Sequence, residues 1–264
     1  VLTTNYVPGV PAWLDFGAED IEAAKEFYGS LFGWGFWSAG PEAGGYGMFH
    51  LDEKIVAAVG PLVEEGARPS WTLYFHTTDA DAAAKAVEQA GGTVRVSPFD
   101  IFDQGRMAAF TDPEGAQFAV WQPYQRPGLD TVSAQNSLCW TELYTPDVAA
   151  SKDFYRTVFS WDYQDNTMSD GFTYTIVLPA GGGKETSQSG IIGISEEMRK
   201  GGLEPHWQPW FEVADCDAAV SAATSRGGRG LMGPEDVEGV GRIAVVADPF
   251  DAVFGVMTSA TPEG

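Results

Sequence analysis

The chain has 264 residues, with 37 acidic against 15 basic side chains, a formal charge of −22, a 44% hydrophobic share and two cysteines. At about 100–200 residues per domain, this length fits one large domain or two small ones, and a surface so acidic repels phosphate backbones, which argues against a nucleic-acid partner. Apolar runs stop well short of the about 18–20 residues that cross a bilayer. Two cysteines make no disulfide framework and point to a reducing cytoplasm, and no secretory leader is expected in a chain that opens without a basic stretch and an apolar run.

Residues 11–17 alternate in character and are rich in bulky side chains, which predicts a strand. Asp20 then opens a predicted helix over residues 21–31, where Ile21, Ala24, Phe27, Tyr28 and Leu31 recur at helical spacing. Aspartate suits this opening position because its carboxylate accepts the unpaired N–H groups of the first turn. Residues 36–59 read as two or three short strands broken by glycines, and residues 71–77 as another strand. Asp79 or Asp81 caps a second helix running to Gln89, and Gly91-Gly92 ends it. Strands follow over residues 106–110 and 117–122, joined by the turn Asp112-Pro113-Glu114-Gly115.

The same order then recurs. Trp13, Tyr28 and Trp34 fall on Trp140, Tyr155 and Trp161 at one constant offset of 127 residues. Trp71, Asp79, Gly91-Gly92, Arg106 and Asp112-Pro113 fall on Trp207, Asp215, Gly227-Gly228, Arg242 and Asp248-Pro249 at a second offset of 136. Two constant offsets over so many positions identify a tandem duplication. The added residues belong to a longer loop around Gly181-Gly182-Gly183 and Thr186-Ser187-Gln188-Ser189. We place the copies at residues 8–123 and 137–259 and a linker at 124–136, which carries Arg126, Pro127 and Gly128. Strand, helix and several strands, four times over, make an α+β protein with helices on one face of curved sheets.

The residues that recur carry a family resemblance. They are Asp20, Ala24, Phe27 and Tyr28 with their counterparts Asp147, Ser151, Phe154 and Tyr155, the helix exits Phe32-Gly33-Trp34 and Phe159-Ser160-Trp161, the paired glycines, and the Asp-Pro turns. In this order and spacing the chain resembles a two-copy member of the vicinal oxygen chelate superfamily, which includes glyoxalase I, the bleomycin-resistance proteins and the extradiol dioxygenases. One turn departs from the pattern, with Asp251 where glycine is usual. The resemblance implies a tandem-duplicated glyoxalase-like fold, four βαβββ modules forming two cupped eight-stranded half-barrels, each holding a ligand on its concave side. It is strongest toward actinobacterial two-module proteins described as glyoxalase-like or hydroxylase-like, which often accompany antibiotic biosynthesis.

The best-known chemistry of that family uses a divalent metal held by His, Glu or Gln at fixed strand positions. Carried onto this chain, those positions are Trp13 and Trp140 on the first strands, Thr72 and Gln208 on the middle strands, and Ala119 and Gly255 on the last strands. Indole has no free lone pair for a metal, and of the six only Gln208 is a ligand, a weak one. A triad of His50, His76 and Asp15 is the alternative metal set, and His206 is expected at a strand rim. The expectation is therefore no metal and no cofactor.

Side chains alternate across a strand, so if Trp13 faces the cup, Asp15 and Gly17 do too, with Trp140, Glu142 and Tyr144 in the second copy. The same parity selects Tyr74, His76, Trp121, Gln208, Trp210, Glu212 and Met257 as ligand-binding candidates, while Gly17, Ala119 and Gly255 leave space. Aromatic walls with a few polar groups suit a flat organic ligand, and they equally suit rings that plug the cups as core. Asp15 and Glu142 are the candidate catalytic groups, since a carboxylate beside indole is partly desolvated and so fitted for acid/base work or for accepting a ligand hydroxyl. Tyr28 and Tyr155 read as packing residues, Arg106 and Arg242 as strand-edge charges, Cys139 and Cys216 as small interior residues, and the glycine run lacks the Lys-Ser/Thr of a phosphate loop.

Three functions follow as expectations. The first is metal-free binding of an oxygenated aromatic small molecule, for sequestration, resistance or assistance to biosynthesis. The second is a cofactor-independent cyclase, isomerase or hydroxylase using Asp15 or Glu142. The third is a metal-dependent lyase or dioxygenase. The expected partner is a small aromatic ligand, with neither nucleic acid nor membrane, and the chain is expected to be a monomer or homodimer in the cytoplasm.

Overall fold

The computed structural model describes residues 2–167 and 171–260. The first copy runs β1 (Pro11–Ala18), α1 (Ile21–Phe32), β2 (Gly35–Ser38), β3 (Gly47–Leu51) and β4 (Lys54–Pro61), then β5 (Ser70–His76), α2 (Ala80–Gln89), β6 (Thr93–Ile101), β7 (Gly105–Thr111) and β8 (Gln117–Pro123). The second copy runs β9 (Leu138–Thr145), α3 (Val148–Phe159), β10 (Asp162–Thr167), β11 (Thr173–Leu178) and β12 (Ser189–Gly193). A short α4 (Glu196–Lys200) then leads to β13 (His206–Glu212), α5 (Cys216–Ser225), β14 (Arg229–Val237), β15 (Gly241–Ala247) and β16 (Val253–Ser259). This is the duplicated βαβββ fold, α+β in class. The residues added to the second copy sit in a longer β11–β12 connection, with a 3-10 turn at Lys184–Thr186, and in α4 before β13.

The strands form two eight-stranded mixed sheets of identical order, β2-β3-β4-β1-β5-β8-β7-β6 and β10-β11-β12-β9-β13-β16-β15-β14. Neither order returns to its starting strand, so both sheets stay open half-barrels rather than closing. Among the described residues, no helix is long and apolar enough to cross a membrane.

Local chemistry fixes the four module helices in the same way. Asp20, Asp79, Asp147 and Asp215 each accept the backbone N–H three residues on, at 2.9–3.0 Å, a cap worth about 1 kcal/mol each. The helix exits differ between copies. Gly33 closes α1 at φ 73°, whereas Ser160 closes α3 at φ 58°, a left-handed conformation that costs a side-chain-bearing residue about 1 kcal/mol. Asp251 likewise takes φ 69° where the first copy has Gly115.

The chain divides into two compact units, Val1–Trp13 with Thr72–Gly128 and Trp140–Gln208, and Leu14–Trp71 with Leu129–Cys139 and Pro209–Gly264. Each unit thus combines a module of one copy with a module of the other. In the first, α2 packs on α3, and Tyr155 lies in a cage of Phe118, Trp161 and Trp207 with ring centroids 5.0–5.6 Å away. The Tyr155 hydroxyl donates to Asp112 Oδ2 at 2.9 Å and accepts from Trp207 Nε1 at 2.8 Å. In the second unit, α1 packs on α5, and the Tyr28 hydroxyl donates to Asp248 Oδ2 at 2.6 Å and accepts from Trp71 Nε1 at 3.0 Å. The remaining oxygen of each aspartate accepts backbone N–H groups of its own turn, three at Asp112 and two at Asp248. Burial holds both carboxyls above their ordinary pKa, against the pull of these hydrogen bonds. The recurring Tyr, Trp and Asp-Pro of the sequence are therefore one hydrogen-bonded core motif, used once in each unit.

Candidate functional site

β1 and β9 carry corresponding side chains, but the surroundings of the two differ. In the first copy Trp13 stacks on Trp121 with centroids 6.3 Å apart and planes 22° apart, and the two rings keep only 8% and 6% exposure. Trp121 lies over Gly105, where a methyl group would overlap its ring, and its Nε1 donates to the Arg126 carbonyl at 2.8 Å. The parallel register of β5 and β8 sets Tyr74 opposite Ala119 and His76 opposite Trp121. Tyr74 and His76 are buried; desolvation holds the His76 imidazole below its ordinary pKa, and its Nδ1 has no hydrogen-bond partner. Asp15 is half-buried and accepts the Tyr46 hydroxyl at 3.1 Å. His50 stacks on Trp37 at 4.1 Å, over Gly35.

In the second copy the same strand builds a polar cluster. Trp140, Glu142 and Tyr144 occupy one face of β9, with Glu142 buried and the two aromatic residues half-buried. Tyr174 on β11 reaches over β12, because the residue paired with Glu142 on β12 is Gly190, where any side chain would overlap the Tyr174 ring. Its hydroxyl donates to Glu142 Oε1 at 2.6 Å and accepts from Trp140 Nε1 at 2.8 Å. The Tyr144 hydroxyl donates to Glu142 Oε2 at 3.0 Å. Burial first, and the Glu142 charge second, push both phenols above their ordinary pKa, so they stay protonated donors. The His206 ring lies parallel to Tyr144 at 4.8 Å; its Nδ1 donates to the Glu204 carbonyl at 2.8 Å, and its Nε2 stands 3.5 Å from the Gln208 amide. Burial lowers the His206 pKa. Gln208 is 1% exposed and acts on the Tyr144 hydroxyl.

Of the candidates read from the sequence, the structure brings Trp140, Glu142, Tyr144 and Gln208 together. Trp13, Tyr74, His76 and Trp121 form a separate, largely covered group. The Trp210 ring lies over Gly255, so that glycine is filled by indole rather than left as space. Glu212 accepts the backbone N–H and hydroxyl of Ser259 at 2.9 and 2.6 Å, and Met257 lies opposite Glu212 in the β13–β16 register. Arg106 pairs with Asp81 and Asp100, and Arg242 with Asp217 and Asp236. Sequence reasoning missed Tyr174 and assigned His206 no partner. The available signal for Tyr174 was Tyr46, its near-counterpart in the first copy, which donates to Asp15 as Tyr174 does to Glu142.

The six positions that would carry metal ligands hold two indoles, a threonine, a glutamine, an alanine and a glycine. Among the described residues no group of three or more His, Cys, Asp or Glu side chains converges on a common point. These residues do not fit a divalent metal.

The profile of the Glyoxalase/Bleomycin resistance protein/Dioxygenase superfamily matches residues 11–120 and again 137–256, and the chain belongs to this superfamily. It is 38% identical over 269 residues to the anthracycline biosynthesis protein DauV of Streptomyces sp. (strain C5), covering 96% of this chain and 94% of that protein. It is 37% identical over 264 residues, 97% of each chain, to the putative glyoxylase CFP32 of Mycobacterium tuberculosis (strain CDC 1551 / Oshkosh). Among solved structures, the 2,3-dioxygenase LapB from Pseudomonas sp. KL28 superposes with a TM-score of 0.64 at 14% identity, covering 97% of this chain and 95% of that one. The Mn(II)-bound glyoxalase from Novosphingobium aromaticivorans superposes with a TM-score of 0.60 at 16% identity, covering 96% and 83%. At these identities the two structures establish a shared fold only.

Proposed function

We propose that the chain binds a flat, hydroxylated aromatic metabolite at the Trp140–Glu142–Tyr174 cluster without a metal ion, and that it serves antibiotic-type secondary metabolism by holding a biosynthetic substrate or product. The observation that carries this reading is the Glu142 carboxylate, fixed by the hydroxyls of Tyr174 and Tyr144 and flanked by half-buried aromatic rings. The rings offer faces for stacking, and the carboxylate is an acceptor for a ligand hydroxyl. The similarity to an anthracycline biosynthesis protein over nearly the whole of both chains supports the metabolic setting. The first-copy tryptophans, already stacked on one another, serve as packing in this reading.

Titration of hydroxylated polycyclic aromatics against tryptophan fluorescence tests the proposal. Saturable quenching that weakens at least tenfold in Glu142→Gln supports it, and no response across a broad panel overturns it. A second reading makes Glu142 a proton carrier in a cofactor-independent isomerisation or cyclisation, favoured by the two phenols that hold its oxygens in place. In that case Glu142→Gln abolishes turnover while binding persists.

A further inference from the structure

We propose that the cavity between the start of α3 and the β10–β11 ladder is a second binding site, one that takes a neutral sugar ring. The cavity encloses about 490 Å3, within the usual range of small-ligand sites, and its walls include Ala149, Lys152, Asp165, Phe172, Thr173 and Thr175. Successive side chains of a strand point to opposite faces. Tyr174 reaches Glu142 on one face of the sheet, so Thr173 and Thr175 belong to the other face, with Asp165 hydrogen-bonded to Thr175 and to Lys152 of α3. The cavity is therefore separate from the aromatic-binding cluster, and a ligand there does not depend on that reading.

The first copy fills the equivalent place. Ile21 stands where the second copy has Val148, and its Cδ1 comes within 3.0 Å of the position a methyl group on Gly45 would take. Lys25, the counterpart of Lys152, pairs with Glu22 of its own helix at 2.8 Å and lies over the Phe36 ring. In the second copy Ala149 replaces Glu22 and Asp165 replaces Ser38. Lys152 then turns to β10 and meets Asp165 Oδ2 at 2.8 Å and Oδ1 at 3.0 Å. These exchanges leave an open space with an ion pair in its wall.

The ion pair defines the ligand. Asp165 Oδ1 accepts from both Lys152 and Thr175, at 3.0 and 2.6 Å, whereas Oδ2 accepts from Lys152 alone. The same hydrogen bonds hold the Asp165 carboxyl below its ordinary pKa, so it stays an acceptor. A carboxylate oxygen takes two hydrogen bonds and an ammonium has three to give, so Oδ2 has room for one donor and Lys152 has one hydrogen left. A free acceptor and a free donor 2.8 Å apart match two neighbouring hydroxyls of a sugar ring, one donating and the other accepting. Phe172, 42% exposed, and the Ala149 methyl give the C–H face of the ring an apolar wall. An anion gains little here, because Asp165 neutralises Lys152 and the chain carries a charge of −22. A cation meets an aspartate already neutralised by Lys152, and a wholly apolar ligand strips water from the pair.

The test is a nitrogen-15 amide chemical-shift titration of the whole chain with the methyl glycosides of glucose, galactose, mannose and rhamnose, each to about 50 mM, ample for millimolar binding. At least one sugar is expected to give saturable shifts at the amides of Ala149, Lys152, Thr173 and Thr175. Ala149→Glu restores the first-copy pair and places an acid where the first turn of a helix favours one; it should weaken that binding about tenfold. Asp165→Asn keeps an acceptor for Thr175 and removes the charge, and should cost about tenfold, the loss of one charge-assisted hydrogen bond. Unchanged amide positions away from the cavity verify that both variants fold. No saturable shift with any of the sugars, affinities unchanged in both variants, or the same amides moved by acetate or methylammonium and by no sugar would each overturn the proposal. None of these results alters the fluorescence response to aromatics, which reads the Glu142 cluster alone.

Discussion

The hydroxyl of Tyr28 lies 2.6 Å from Asp248 Oδ2, a hydrogen bond between residues 220 positions apart in the chain. Tyr155 and Asp112 repeat it at 2.9 Å. Each bond joins the first-module helix of one copy to the last-module turn of the other, which explains why the Phe-Tyr, Trp and Asp-Pro elements recur together in the sequence. Tyr28→Phe or Tyr155→Phe leaves a buried carboxylate oxygen and a buried indole N–H without partners. Each is expected to destabilise the protein by about 2–4 kcal/mol in urea titration. A change below about 0.5 kcal/mol contradicts this role.

Much of this architecture was legible in the sequence. The strand and helix order, the aspartate caps and the duplication all follow from side-chain periodicity and from turn residues that act locally. β6 and β14 were not legible. Pro98 and Pro234 interrupt them, their exposure follows no simple alternation, and their registers slip twice against β7 and β15. Both are edge strands, where proline and bulges are tolerated because one side needs no ladder partner. The site was legible in part. Trp140, Glu142 and Tyr144 follow from parity along one strand, whereas Tyr174 reaches Glu142 from two strands away over Gly190, a contact no local pattern encodes. The interleaving of the two copies in each unit was equally hidden, since a repeat shows what is duplicated but not which halves pack.

Ser160 is expected to be a site of stabilisation. It closes α3 at φ 58°, a conformation glycine adopts without steric cost, as Gly33 does at the end of α1. Ser160→Gly should raise stability by about 0.5–1 kcal/mol. The check is the urea midpoint, and a lower midpoint contradicts the assignment of strain to this residue.

Alkaline pH should unfold the protein through its tyrosines. Burial is the largest cause raising Tyr28, Tyr144, Tyr155, Tyr163 and Tyr174 above the ordinary value of 10.0. For a group whose folded pKa is raised, stability is fully present below the unfolded pKa and falls as pH climbs toward the folded value. Stability should therefore hold to about pH 10 and decline above it. Phenolate absorbance should show these five of the nine tyrosines ionising together with loss of near-ultraviolet circular dichroism. Ionisation of all nine near pH 10 with the fold intact contradicts their burial.

Aromatic binding centred on Glu142 without a metal is tested most directly by titrating a hydroxylated polycyclic aromatic into chelator-treated protein and following tryptophan fluorescence. The affinity should match that of untreated protein and fall about tenfold in Glu142→Gln, the loss of one charge-assisted hydrogen bond. Binding that disappears with the chelator and returns on adding a divalent metal would contradict the account.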